Sequence, residues 1–314
     1  IVVPTPFAVG PVNCYIIEGK PLTLIDTGVK SSKSIAALSE GLQAIGYAIE
    51  DIERILITHG HVDHIGLASH IFDVRNGDLS VFMHELDAPR LIDWNGYIEE
   101  RMYSYMRIAK ECGAPIQGTP MDSQRSLADY FLRFGDSVES TATLQDNQIL
   151  SSGIGDLKCI WVPGHSLGSL CYACEDAGIL FSGDHILSDI SSNPSLDFDG
   201  SLGVSMLRYF DSLDKMKPYE DFLVFPGHRK QITNLKDRIS ELKQDYSQKI
   251  EHTNEVVNEN PISIYSLSRI LYGDYPDDSL ILALAETKDL VHILENDGKA
   301  SLIKIDDILN VVSK

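Results

Sequence analysis

The stretch Thr58-His59-Gly60-His61-Val62-Asp63-His64 constrains this chain more than any other, because three histidines and a carboxylate follow directly on the apolar run Ile55-Leu56-Ile57. Side chains on a regular helix share a face every three or four residues, and those on a strand every two. Donors at this density therefore fit a loop at a strand end better than either element. From such a loop His59 and His61 can reach one cation while Asp63 and His64, turned the other way, reach a second. Imidazole nitrogen and carboxylate oxygen are ligands for zinc and other divalent first-row metals. The competing reading is a polar surface turn that happens to be rich in histidine, and the glycine-flanked histidines downstream weaken it.

Those later positions repeat one pattern of apolar strand, glycine and donor. Leu157 to Val162 runs into Pro163-Gly164-His165, Gly178 to Phe181 into Ser182-Gly183-Asp184-His185, and Phe222 to Phe225 into Pro226-Gly227-His228. The candidate metal donors are thus His59, His61, Asp63, His64, His165, Asp184 and His228. They suffice for two adjacent cations, with one carboxylate bridging and positions left for water. Two metals roughly 3.5 to 4 Å apart hold a bridging hydroxide and polarise the bond it attacks. His185 has two readings, a donor to substrate or a structural hydrogen bond. His70, His84, His252 and His292 lack the pattern and are read as structural or exposed.

Elsewhere the text reads as an α/β layout with function at strand ends. Cys14 to Ile17 and Leu22 to Ile25 predict a hairpin, closed by Asp26-Thr27-Gly28. Asp26 either caps the next turn or sits behind a metal ligand, and the residues alone favour the turn. Ile35, Leu38, Leu42 and Ile45 predict a helix over 34–45 that Gly46 stops. Leu67 to Phe72 reads as helix and Ser80 to His84 as strand. Between about 87 and 134 the text turns aromatic and methionine-rich, with Trp94, Tyr97, Met102, Tyr103, Tyr105, Met106, Met121, Tyr130, Phe131 and Phe134. Helices over 98–112 and 123–134 flank the link Gly113 to Pro120. Such a stripe is either core or, as an insertion between strands, a lid over the site.

Ile232, Leu235, Ile239, Leu242, Tyr246 and Ile250 mark one face of a long helix. A catalytic domain over 1–250 and a small winged-helix-like module over 251–314 follow from this reading. In the module Ser266 to Tyr272 and Leu280 to Glu286 read as helices, and Ala300 to Ile305 as strand. It holds five Lys/Arg against twelve Asp/Glu. A DNA-reading wing needs the opposite sign, so packing or homodimer formation is the plainer role.

The whole chain of 314 residues carries a formal net charge of −20, which opposes attraction to nucleic acid or anionic membrane. No apolar run approaches the about 18 residues of a membrane span. Cys14, Cys112, Cys159, Cys171 and Cys174 are odd in number and scattered, which suits a reducing cytoplasm. Cys171-Tyr172-Ala173-Cys174 is a CxxC within strand text and reads as buried structural thiols. The chain opens on Ile1, which leaves a removed targeting segment open.

With Leu24-Ile25-Asp26-Thr27-Gly28 ahead of it, the ordered set His59-Gly60-His61-Val62-Asp63-His64, His165, Asp184 and His228 resembles the metallo-β-lactamase superfamily over about residues 7 to 230. The resemblance implies a four-layer αβ/βα sandwich. It places His59, His61 and His165 on one metal, Asp63, His64 and His228 on the second, Asp184 between them and Asp26 behind them. It makes Asp63 the catalytic group that orients a nucleophilic hydroxide. Zinc β-lactamases of the common classes have cysteine or histidine where Asp184 stands, which argues against antibiotic hydrolysis. Flavodiiron reductases carry glutamate in place of His61. Members with a large inserted nuclease module need more chain between Asp184 and His228. The arrangement is similar to glyoxalase II and to hydrolases with a helical insertion and a winged-helix-like tail, some thioesterase-like and others endoribonuclease-like. Leu67 and Leu167 replace a glycine and a proline usual in the motifs.

The expected activity is hydrolysis of a small-molecule ester, thioester or lactone by two divalent metal ions, with zinc first and iron or manganese as alternatives. A single-stranded endoribonuclease or phosphodiesterase is the second reading, and a metal-braced interaction protein the third.

Overall fold

A computed structural model describes residues 1–115, 127–139, 141–195, 204–276 and 279–314. A short ribbon of β1 (Val2–Val3) and β2 (Val12–Asn13) precedes the first large sheet. That sheet has the order β3 (Tyr15–Ile17), β4 (Thr23–Ile25), β5 (Arg54–Leu56), β6 (Ser80–His84) and β7 (Ala142–Leu144). Its first pair is the antiparallel hairpin expected from the turn residues, and the other pairs are parallel. Parallel neighbours require crossovers. Helix α1 (Ser32–Gln43) supplies the first, α2 (Val62–Ile65) with α3 (Ala68–Val74) the second, and α4 (Ala88–Ile92) with α5 (Trp94–Glu111) lies in the third. Every residue of β4 and β5 is buried, as fits strands covered on both faces.

The second sheet has the order β12 (Leu223–Pro226), β11 (Ile179–Gly183), β10 (Leu170–Cys174), β9 (Gly155–Trp161) and β8 (Ile149–Ser152). Strands β8 to β11 form an antiparallel meander, and β12 pairs parallel to β11 after the crossover helix α6 (Ser205–Asp214). The two sheets bury Ile17, Ile25, Leu56, Leu157, Leu170 and Tyr172 between them. On the outer face of the first sheet Leu24, Ile55 and Met83 pack against Leu38, Leu42, Ile71 and Trp94. On the outer face of the second, Ala173, Leu180 and Val224 pack against α6 and α7 (Leu235–Val256) through Met206, Leu213, Leu242 and Tyr246. The result is helix, sheet, sheet, helix: the expected four-layer sandwich.

Several elements begin or end away from the positions the spacing predicts. The Ser31 side chain accepts from Ser34 N, so α1 begins at Ser32 and ends at Gln43, before the expected boundary. Ile45 consequently lies past the helix and is 45% exposed. Asp93 caps α5 by accepting from Gly96 N, which starts that helix at Trp94 rather than 98. Trp94 and Met102 are buried in the first core, with Tyr97, Tyr105 and Phe131 half-buried against it, so much of the aromatic stripe is core. Residues 127–132 are helical, whereas 116–126, which include most of the Gly113 to Pro120 link, Met121 and the start of the 123–134 helix, lie outside the described residues. Ile232 precedes α7 and instead pairs with Val224, and Asn234 caps the helix.

The last part of the chain is β13 (Ile262–Ser263), α8 (Ile264–Tyr272), α9 (Leu280–Asn296), β14 (Ala300–Ile305) and β15 (Ile308–Ser313). Asp306 and Asp307 both have positive φ, at 49° and 64°, in the two-residue turn of the β14–β15 hairpin. Ile264, Leu267, Leu284, Val291 and Val311 form a core that takes in Ile108, Ala109 and Cys112 from the end of α5. The insertion helix is thus also a wall of the C-terminal unit, a contact the sequence reading did not foresee. All five cysteines are buried and unpaired, and burial pushes the Cys112 and Cys159 thiols up to about 12. Among the described residues no helix is long and apolar enough to cross a membrane.

Two hydrogen bonds tie the sheets together beside the histidine loop: Tyr172 OH donates to Ile57 O at 2.6 Å, and Leu170 N to Thr58 O at 2.7 Å. Tyr172→Phe strands the buried Ile57 carbonyl, and its expected cost is about 1–3 kcal/mol. Chemical denaturation with an unchanged m-value checks this figure.

Candidate metal centre

The seven candidate donors and Asp26 all follow strand ends. Asp26 follows β4; His59 and His61 follow β5; His165 lies in the turn from β9 to β10; Asp184 follows β11 and His228 follows β12. Because β11 and β12 run parallel, Asp184 and His228 emerge at the same end of the sheet. The expectation of a loop over Thr58 to His64 holds only to His61. His61 then immediately precedes the short helix α2, without a side-chain capping bond, and α2 carries Asp63 and His64 on its first turn. The glycine of the repeated pattern has a steric cause at Gly227, where a Cβ would fall 2.3 Å from Asp184 Oδ1 and 2.7 Å from His64 Cε1.

Three groups of donors converge: His59, His61 and His165; His59, His64 and Asp184; and Asp63, His64 and His228. In the first, His59 Nε2 lies 3.0 Å from His61 Nδ1 and 3.2 Å from His165 Nε2. In the last, His228 Nε2 lies 3.3 Å from Asp63 Oδ2, and His64 Nε2 lies 4.0 Å from Asp63 Oδ1. Asp184 stands between, with Oδ1 3.5 Å from His64 Nε2 and Oδ2 3.7 Å from His165 Nε2 and 3.6 Å from His228 Nε2. Ligands about 2.0–2.1 Å from a tetrahedral zinc stand about 3.4 Å apart, so these separations suit small divalent cations.

Two further observations test that fit. Asp184 Oδ1, His64 Nε2 and His228 Nε2 are buried without a hydrogen-bond partner, a costly state for polar atoms unless something charged satisfies them. Meanwhile the far ring nitrogens are taken. His64 Nδ1 donates to Asp26 Oδ2 at 2.8 Å, His228 Nδ1 to Pro11 O at 2.8 Å, and His165 Nδ1 to Ser192 O. Thr58 Oγ1 donates to Asp26 Oδ2 and so accepts from His59 Nδ1 at 3.1 Å. Each bond fixes the tautomer that turns the Nε2 lone pair into the pocket, the usual arrangement behind metal-binding histidines. His61 differs, facing the cluster through Nδ1.

The turn role read for Asp26 is therefore corrected. Its φ of 57° is left-handed, a conformation aspartate tolerates better than most residues, and it bends the carboxylate back over the strand ends. There Oδ1 accepts Thr58 N at 2.8 Å while Oδ2 takes Thr58 Oγ1 and His64.

Burial lowers the pKa of His59 and His61 well below the ordinary value, and neighbouring imidazoles and Arg90 add to this. For His64 burial acts the same way but is outweighed by Asp26, Asp184 and Asp63, so its pKa stands well above the ordinary value. His228 is likewise raised against burial, by Asp184 and Asp63. Asp63 and Asp184 are held low despite burial, through His64 and His228.

His185 sits behind Asp184, 1% exposed, with its ring edge-on to Tyr209 at 5.3 Å and burial lowering its pKa to about 3. His84 stacks on Trp161 away from the cluster. Leu67 and Leu167 are both buried, and Leu167 O accepts from Trp161 Nε1. Two features had no sequence signal. Asp87, wholly buried, contacts both histidine loops. The loop presenting Ser192 O is pinned by Asp289 of α9, whose Oδ2 accepts Ser195 Oγ at 3.0 Å and Met206 N at 2.9 Å.

An αβ/βα sandwich with an imidazole and carboxylate cluster at its strand ends defines a class of metal-dependent hydrolases. The chain belongs to the metallo-beta-lactamase superfamily, whose family model matches residues 8–228. It is 28% identical over 299 residues to the probable metallo-hydrolase YqjP of Bacillus subtilis, covering 93% of this chain and 90% of that one. It is 23% identical over 220 residues to the probable polyketide biosynthesis zinc-dependent hydrolase PksB of the same organism, covering 68% of this chain and 72% of the relative. A crystal structure of a metallo-beta-lactamase family protein from Thermus thermophilus shares the fold with a TM-score of 0.83 at 22% identity, covering 100% of this chain and 97% of that one. The chain is a metal-dependent hydrolase.

Two outcomes follow from the site's electrostatics. A cation must displace the protons that the raised pKa values keep on His64 and His228, so affinity at Asp63, His64 and His228 climbs as pH rises through those values. His59 and His61 are neutral already and add little pH dependence. Zinc titrations at about pH 6 and about pH 8 are expected to show metal leaving the His64–His228 cluster first on acidification. Asp26→Asn replaces one carboxylate oxygen with an amide donor, so the side chain no longer accepts from Thr58 N, Thr58 Oγ1 and His64 Nδ1 together, and a zinc affinity roughly 10–100-fold weaker at the His64 cluster is expected by chelator competition.

Proposed function

We propose that this protein hydrolyses a small-molecule ester, thioester or lactone with two divalent cations, zinc first and iron or manganese as alternatives. The observation that carries the reading is the placement of Asp184, whose two oxygens lie 3.5 Å from His64 Nε2 and 3.7 Å from His165 Nε2. One carboxylate thereby faces both donor clusters. His59, His61 and His165 hold the first cation; Asp63, His64 and His228 hold the second. When bound, such a pair supplies a water acidified to near neutral pH and polarises the bond under attack.

The chain's own groups do the rest. Asp63, kept ionised by His64 and His228, accepts a hydrogen bond from the attacking water and orients it. Asp26 and Thr58 hold the imidazoles of His64 and His59 against rotation. His185, neutral and enclosed, packs edge-on against Tyr209 next to Asp184 in the chain. Zinc is placed first because PksB is named as zinc-dependent. The catalytic unit spans 1–250, with 87–134 as a helical, lid-like insertion, and the winged-helix-like unit 251–314 serves packing or self-association. The formal charge of −20 favours a small substrate over RNA.

The test is a panel of nitrophenyl esters, acyl thioesters, lactones, a phosphodiester and labelled RNA, offered to the zinc-loaded protein. The expected result is turnover within the first three classes, lowered at least about 100-fold by His61→Ala or Asp184→Ala. Turnover of the phosphodiester or RNA alone, or hydrolysis indifferent to both substitutions, overturns the proposal.

A further inference from the structure

Asp87 lies in the turn between β6 and α4, at 0% exposure, and belongs to none of the three donor groups. Its Oδ2 accepts Gly60 N at 2.7 Å and Ser166 Oγ at 2.6 Å. Its Oδ1 accepts Gly168 N at 3.1 Å and faces Arg90 Nη2 at 3.3 Å. Gly60 sits between His59 and His61, and Ser166 to Gly168 follow His165. One carboxylate thus fastens together the two separate loops that carry the His59, His61 and His165 set. Arg90, itself 6% exposed, supplies the countercharge that lets a carboxylate stay in so enclosed a place.

The surrounding backbone is shaped to this side chain. A Cβ on Gly168 would lie 2.6 Å from Asp87 Cγ and 2.8 Å from its backbone nitrogen, and one on Gly60 would lie 2.4 Å from Arg90 Cδ. Both loops therefore approach Asp87 as closely as glycine allows. The other cluster has its own carboxylate in Asp26, which grips His64 directly. Asp87 does the equivalent at one remove, holding the loops rather than the rings.

We propose that Asp87 is a positioning residue for the His59, His61 and His165 cluster, setting the distance between the two loops and hence that cluster's affinity for a divalent cation. The Asp63, His64 and His228 cluster, built on α2 and β12, does not depend on it. This inference rests on the reading that the imidazoles hold cations. A brace that served stability alone would show no preference between clusters.

The experiment is a zinc titration against a competing chelator, with wild-type protein, Asp87→Asn and Ser166→Ala, alongside melting curves of the metal-free forms. The wild type is expected to bind two equivalents. Asn keeps the shape but cannot accept from every donor that Asp87 satisfies, so Asp87→Asn is expected to weaken one equivalent roughly 10–100-fold and leave the other unchanged. Ser166→Ala removes one of the four contacts and keeps the charge, so the same equivalent weakens by a smaller factor. Should Asp87→Asn fail to fold, Ser166→Ala decides. Equal weakening of both equivalents overturns the proposal, as do unchanged affinities accompanied by a lowered melting point. A wild type that binds no zinc overturns this inference and the binuclear reading together. A wild type that binds two equivalents with the expected selectivity, yet hydrolyses nothing in the panel, upholds the role of Asp87 and sinks the proposed activity.

Discussion

A single buried carboxylate, that of Asp26, stands where the first sheet meets the donor cluster. Through Thr58 it receives a backbone N–H and a hydroxyl, and through His64 an imidazole N–H, so it holds the turn after β5 and the helix α2 in one grip. The strand ends, the caps and the ring orientations elsewhere are arranged around that grip. Thr58 passes it to His59, and its carbonyl receives Leu170 N from the second sheet. A chain of short-range bonds therefore runs from the core of one sheet, across the pocket floor, into the other.

The electrostatics of the pocket depend on the same arrangement. Two imidazoles sit where burial and like neighbours strip their protons, and two sit where carboxylates retain them. Such opposite behaviour among side chains a few ångströms apart comes from placement, since the residue type is the same. The strongly negative balance of the whole chain acts at the surface, where solvent and salt screen it, and contributes little to this contrast. Charge within the pocket is set by which carboxylate each ring faces.

What could be read from the sequence was the local part. His59 to His64, His165, Asp184 and His228 each follow an apolar run within a few residues, so strand ends and donors were visible together, and the alternating sheets and helices followed from spacing. Asp26 read as a turn residue from its own neighbours, and its place behind the metal ligands came only through the resemblance, because its left-handed φ and its partner Thr58, 32 residues further on, leave no local trace. Asp87 had no pattern at all, since three of its four partners, two backbone N–H groups and the Ser166 hydroxyl, belong to loops from elsewhere in the chain. The contact of α5 with the C-terminal core was hidden for a similar reason. An amphipathic stripe states that a face is buried, and not which face covers it. Helix α2 was missed because a four-residue helix is too short to show a period.

The hold that Asp289 keeps on Ser195 and Met206 couples the C-terminal helix α9 to the segment between β11 and β12. The Ser192 carbonyl that orients His165 belongs to a loop held by Ser192 Oγ on His185 O, by Arg238 of α7 on Leu187 O and Ile190 O, and at Ser195 by Asp289 of α9. The aim of His165 is thus set in part from outside the sheets, by two helices that contribute no donor to the pocket.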